Sequence, residues 1–185
     1  MIDLIAKIIS AFMLTRKIRK KVRERIKTFF YGYKIIQKAK TIGTGFFCGG
    51  GGCYINKNTY LGDFVHLNGL QIHGEGKVTI GNNFYSGVEC LIITQNHDFD
   101  TGNAIPYGDG YIYKEVVIED FVWLGSRVTI LPGTKIGEGA IIQGGAVVHG
   151  EIPPYAIAGG NPAKVFKYRD IERFKRLKAE GKYKK

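Results

Sequence analysis

From residue 118 to residue 148 an aliphatic side chain recurs at every sixth place: Ile118, Leu124, Ile130, Ile136, Ile142 and Val148. Four places after each stands a small or β-branched residue: Val122, Val128, Thr134, Ala140, Ala146 and Ile152. A helix repeats every 3.6 residues and a strand every two, so neither alone produces this pattern. A fixed hexapeptide period is the signature of a parallel β-helix, in which each hexapeptide supplies one short strand and one corner. The aliphatic side chain then points into the prism, and the small or branched one leaves room near the corner. Gly125, Gly133, Gly137, Gly139, Gly144 and Gly145 suit corners that need positive φ. An antiparallel sandwich rich in glycine would not keep so strict a phase.

The repeat extends upstream, less regularly. It starts near Ile42, is interrupted by the run Cys48–Cys53, and regains phase at Ile55, Leu61 and Leu67. It slips through 73–78 and restarts at Ile80, Ser86 and Ile92. Between 94 and 116 it breaks into a polar, aromatic, glycine-bearing segment. A long loop leaving a regular solenoid is where function tends to sit. The expected organisation is a helical segment 1–40, the repeat domain 41–167 and a basic tail 168–185 with a short helix over 168–180.

The net charge of +11 suggests nucleic acid until it is mapped. Residues 1–30 carry nine Lys and Arg against Asp3 and Glu24, and residues 163–185 carry ten against Asp170, Glu172 and Glu180. The repeat body between them is slightly acidic, and no nucleic-acid-binding motif accompanies the basic ends. Residues 2–30 read as one amphipathic helix or two, with Ile5, Ile8, Ile9 and Phe12 on one face, followed by a basic run. Such a segment caps the end of the solenoid, or lies on an anionic membrane surface. No secretory leader is evident, and three cysteines without CxxC spacing argue for small buried thiols. The expected location is cytoplasmic, or peripheral at the inner membrane surface.

The strings NHDF (96–99), VWLG (122–125), ILPG (130–133), IGEGAII (136–142) and PPYAIAGGNPAKV (153–165) resemble the hexapeptide-repeat acyltransferases. The branch most similar comprises the sugar, polysaccharide and xenobiotic O-acetyltransferases. The resemblance covers roughly 40–168 and implies an all-β solenoid of left-handed hand, a homotrimer and acetyl-CoA as donor. It also implies a role for His97: general base at a cleft between two subunits. Chemistry agrees, because acetyl transfer from a thioester needs one proton taken from the acceptor, and a neutral imidazole suits that task near pH 7.

Further site residues are expected around His97. Asn96 and Asp98 flank it, and Asp98 could orient the ring. Glu89 could accept from sugar hydroxyls, or be a plain exposed carboxylate. Trp123 lines the cleft in the resembling enzymes, or packs on the wall. Tyr107, with Tyr111 and Tyr113, could pave an acceptor site or meet a neighbouring subunit. For the donor, the resemblance matches Gly144, Gly145, Ala158 and Gly159 to positions along pantetheine, and Lys164 to a place near the CoA phosphates, with Lys167 and Arg169 behind it.

No metal is expected. The same fold hosts zinc carbonic anhydrases, but His66, His73 and His149 contain no close pair near the loop. The reading is O-acetylation of a sugar hydroxyl in polysaccharide or glycolipid synthesis. Alternatives are N-acetylation of an amino sugar or an antibiotic, and a non-catalytic trimeric scaffold.

Overall fold

The computed structural model of the chain describes residues 3–5, 16–49 and 52–184. It is a parallel β-helix of three flat faces. Face A stacks β1 (Thr41–Ile42), β3 (Thr59–Leu61), β6 (Val78–Ile80), β11 (Val116–Ile118), β14 (Lys135–Ile136) and β17 (Glu151–Ile152). Face B stacks β2 (Phe47–Gly49), β4 (His66–Asn68), β7 (Tyr85–Ser86), β12 (Trp123–Leu124), β15 (Ile141–Ile142) and β18 (Ala156–Gly159), closed by the antiparallel β19 (Lys164–Tyr168). Face C stacks β5 (Gln71–His73), β8 (Leu91–Ile93), β13 (Thr129–Ile130) and β16 (Val147–Val148).

The six-residue phase is the inward ladder of these faces. Leu61, Ile80, Ile118, Ile136 and Ile152 are in register on face A, and Ile72, Ile92, Ile130 and Val148 on face C. All are buried, as are Val122, Val128, Thr134, Ala140 and Ala146 at the inner corners. Each fully buried Ile or Leu contributes about 1.5–3 kcal/mol relative to exposure. Ser86 takes a ladder place on face B, and its hydroxyl accepts from Asn68 N at 3.0 Å, so no polar atom is stranded there.

Of the six glycines expected at corners, Gly133, Gly139 and Gly145 hold positive φ, and other corners use larger residues. Phe64, Asn83, Phe121 and Tyr155 hold positive φ between 54° and 62° along the corner from face A to face B. Each donates its backbone N–H to the coil before it, to Thr44, Asp63, Asn82 and Glu138 carbonyls at 2.7–2.8 Å. That recurring bond offsets the left-handed cost, about 1 kcal/mol per residue. Glycine is required at the B-to-C corner, where a Cβ on Gly125 would lie 2.5 Å from the Gly144 nitrogen.

The slip at 73–78 is a turn held by polar side chains. Asn56, 2% exposed, donates to the carbonyls of Gly74 (2.7 Å) and Gly76 (2.9 Å) and accepts from the Thr59 hydroxyl (2.9 Å). Thr94 Oγ1 accepts from Gly76 N and donates to His73 O, both at 3.0 Å.

Helix α1 (Arg16–Lys38) runs past the expected end at residue 30, because Tyr31 and Ile35 continue its inward face. Ile35 is buried against the first coil, so this part of the helix caps the solenoid. Ile8, Ile9 and Phe12 of the expected apolar face lie outside the described residues, as do Gly50 and Gly51 of the glycine run. Among the described residues no helix is long and apolar enough to cross a membrane. At the other end the tail first forms β19, which the six-residue period does not announce, and then α2 (Ile171–Ala179). Asp170 caps α2 by accepting from Arg173 N at 2.9 Å, and Phe174 packs on Phe121 and Tyr155.

Cys48 and Cys90 are buried, and Cys53 is half-buried. The Cys48 thiol, donating to Cys53, lowers Cys53 to about 7, helped by the N–H groups of Gly69 and Leu70. The same pairing, with burial, raises Cys48, and burial raises Cys90. Iodoacetamide should therefore label Cys53 before the other two, faster as pH rises through about 7. Peptide mapping checks this; Cys48→Ala should slow the labelling near neutral pH, and an unchanged rate in that variant would remove the cause.

Candidate active site

The break at 94–116 is a hairpin. β9 (Gln95–His97) pairs antiparallel with β10 (Tyr111–Tyr113), His97 opposite Tyr111. Asp98 organises the tip: its carboxylate accepts from Thr101 N at 2.9 Å and Thr101 Oγ1 at 2.7 Å, and its carbonyl accepts from Gly108 N at 2.8 Å. These bonds to Thr101 hold the Asp98 carboxyl below its ordinary range. The carboxylate thus secures the loop that carries His97, and it makes no bond to the imidazole, whose buried Nδ1 has no partner.

The imidazole is held by rings instead. Tyr107 stacks on it at 3.9 Å between centroids, with 21° between planes, and Tyr111 lies at 4.6 Å. The ring borders a groove of about 390 Å³ on face C, lined also by His73, Leu91, Ile93, Gln95, Asn96 and Tyr111. Asn96 is exposed at its rim. His73 was not expected here; its Nε2 lies 3.1 Å from Gln71 Oε1. Its register place on β5, one coil before β8, is what brings it to the groove.

Other expected residues stand elsewhere on the chain. Trp123 projects from face B, 52% exposed, between Tyr85 and Ile141 in register, and does not line the His97 groove. Glu89 sits at the B-to-C corner and accepts from Arg127 Nε at 2.7 Å, so this exposed carboxylate already has a cation. His66 belongs to face B, stacked on Tyr85 at 4.5 Å, and His149 is exposed beyond β16, so the three other histidines do not gather.

The small residues matched to the donor separate into two kinds. Gly144 and Gly145 are exposed at the B-to-C corner, and nothing lies within 4 Å of a Cβ placed on Gly145. Lys164 is exposed at the start of β19. Ala158 has its methyl fully buried in the prism, and its carbonyl accepts from Gln143 N at 2.8 Å. Gly159 leaves room for the Gln143 side chain, whose Oε1 would lie 2.4 Å from a Cβ there.

Residues 115–150 match the family described as bacterial transferase hexapeptide (six repeats). That span holds the unbroken run of the six-residue phase. It is 32% identical over 126 residues to an Escherichia coli (strain K12) protein provisionally named lipopolysaccharide biosynthesis O-acetyl transferase WbbJ, covering 64% of this chain and 62% of that one. It is 33% identical over 110 residues to galactoside O-acetyltransferase of Lactococcus lactis, covering 59% and 52%. Its fold is similar to the crystal structure of a maltose O-acetyltransferase from Clostridium difficile 630, with TM-score 0.60, 25% identity, and 90% and 84% of the two chains covered. The chain spans about half the length of the leading curated relatives it matches.

Proposed function

We propose that this repeat protein is an acetyl-CoA-dependent O-acetyltransferase acting on a sugar hydroxyl, in polysaccharide or glycolipid synthesis. The observation that carries the reading is His97: an imidazole clamped between two tyrosine rings, on a hairpin tied by Asp98, at the edge of an open groove. The named sugar O-acetyltransferases among the relatives support the acceptor class.

Bound acetyl-CoA supplies an already activated thioester, so no nucleophilic Ser or Cys and no metal is needed. The exposed corner at Gly144 and Gly145 fits a thin pantetheine chain, since no side chain stands over it, and Lys164 fits its phosphates. His97 takes the proton of the acceptor hydroxyl. With Nδ1 enclosed, Nε2 is the nitrogen that receives it. Tyr107 and Tyr111 fix the plane of the ring.

His97 stands beside face C and Trp123 on face B, so a site containing both needs two copies of the chain. The hairpin presents Phe99, Ile105, Tyr111 and Tyr113 to solvent in one copy, an apolar surface suited to meeting a neighbour. A homotrimer with sites between copies satisfies both observations. The acceptor reading is checked with acetyl-CoA and a panel of neutral sugars, amino sugars and oligosaccharides, following release of the CoA thiol. An alkali-labile ester on a neutral glycan is expected; an alkali-stable amide formed only on amino sugars would replace the reading by N-acetylation.

A further inference from the structure

Helix α1 carries two apolar faces, and the solenoid covers one of them. Tyr31 packs on the core, Ile35 is buried, and a Cβ on Gly32 would lie 4.0 Å from the Cys48 Cβ. The second row is Val22, Ile26, Phe29, Tyr33 and Ile36, spaced four, three, four and three residues apart. A helix turns about 100° per residue, so this spacing holds one side, centred about 140° round the axis from Ile35. Val22 and Ile26 are half-buried, while Phe29, Tyr33 and Ile36 are 69%, 54% and 51% exposed. At a rise of about 1.5 Å per residue the row is about 21 Å long, shorter than a bilayer core of about 30 Å. A helix face left to water normally carries polar residues, and a row of large apolar ones marks a contact.

The charge on the same helix narrows what that contact is. Arg16–Lys38 holds ten Lys and Arg against one acid, Glu24. Lys20, Arg25 and Lys34 are exposed, and among the described residues none of the three meets a carboxylate. By helical spacing Arg25 and Lys34 fall on opposite sides of the apolar row. A second copy seated on this row would set ten cations against ten, and like charges repel. Nucleic acid would meet the cations and leave Phe29, Tyr33 and Ile36 in water. An anionic lipid surface takes both, headgroups against the cations and the acyl boundary against the apolar row.

We propose that this face of α1 lies on an anionic lipid bilayer. The helix then runs in the interfacial plane, and its other face, capping the solenoid, holds the repeat domain at the surface. Phe29 and Ile36 enter the acyl boundary, and Tyr33 keeps its hydroxyl among the headgroups. Arg25 and Lys34 lay their apolar stems along the same boundary and bring their charges to the phosphates. The contact needs neither acetyl-CoA nor an acceptor, so it stands apart from acetyl transfer.

Sedimentation of the full chain with vesicles tests it, comparing phosphatidylglycerol mixed into phosphatidylcholine with phosphatidylcholine alone. Binding to the anionic vesicles should be at least about tenfold tighter at low salt, and should weaken at high salt. The double variant Phe29→Ser, Ile36→Ser should lose about tenfold or more of that binding. Both side chains point away from the core, so its circular dichroism spectrum should be unchanged. The double variant Arg25→Gln, Lys34→Gln should bind anionic vesicles about tenfold more weakly and neutral ones no differently. Lys175→Gln with Arg176→Gln, on the other basic helix, should leave vesicle binding as it is. No binding to anionic vesicles at low salt overturns the proposal. So does equal binding to neutral vesicles, full binding by the Phe29 and Ile36 variant, or a loss confined to the α2 variant.

Discussion

Replacing His97 by alanine is expected to lower kcat for acetyl transfer by about 10²–10⁴-fold, the usual worth of general-base help. The KM for acetyl-CoA should stay near that of the unaltered protein, because the ring borders a groove on face C and the proposed donor track lies at the B-to-C corner. Lys164→Ala should show the reverse split: a raised KM for acetyl-CoA with kcat largely kept, since an exposed lysine at the start of β19 meets phosphate and not the reacting atoms. Steady-state kinetics on both variants reads the two effects separately. Normal turnover by His97→Ala on the true acceptor would move the base elsewhere, and His73, in the same groove, is the first residue to examine.

The largest effect on stability is expected at Asn56, not at an aliphatic position. Asn56→Ala strands the carbonyls of Gly74 and Gly76 at the irregular turn between β5 and β6, and frees the Thr59 hydroxyl at the start of β3. Each buried polar group left unpaired costs about 1–3 kcal/mol, so the two buried ones, the Gly76 carbonyl and the Thr59 hydroxyl, together cost roughly 2–6 kcal/mol. Ile136→Ala, which opens a cavity in an otherwise regular coil, should cost about 2–5 kcal/mol. Urea denaturation of the two variants compares them. A loss below about 1 kcal/mol at Asn56 would show that water replaces the side chain, and that the turn is held mainly by Thr94.

The two sites explain what could be read in the chain before its fold was known. Ile118, Leu124, Ile130, Ile136, Ile142 and Val148 declare a parallel β-helix by phase alone, because each side chain points into the prism once per hexapeptide; that the prism has three faces is what the resemblance implies. His97 could be singled out because the phase breaks at 94 and the NHDF string opens the break. Asn56 could not, because its partners lie 18 and 20 residues away and its own position looks like any polar corner. Phe64, Phe121 and Tyr155 take positive φ, which their residue types do not announce; a backbone bond to the coil before selects them. Ala158 is matched to the donor through backbone groups, and its methyl lies inward because β18 places it in register with Ile142. A groove between α2 and face B joins Asn83 to Arg169, residues far apart in sequence, through an antiparallel β19 that no hexapeptide period predicts.

The central claim is that an acetyl group leaves CoA for a sugar hydroxyl with the His97 imidazole taking the proton. It is tested most directly by following 1-¹³C-acetyl-CoA by NMR with a glycan acceptor, in parallel for the unaltered protein and His97→Ala. The account predicts a thioester signal replaced by a sugar ester signal with the unaltered protein, and a rate at least about 10²-fold lower in the variant. Thioester loss to free acetate without ester, or equal rates in the two proteins, would contradict it.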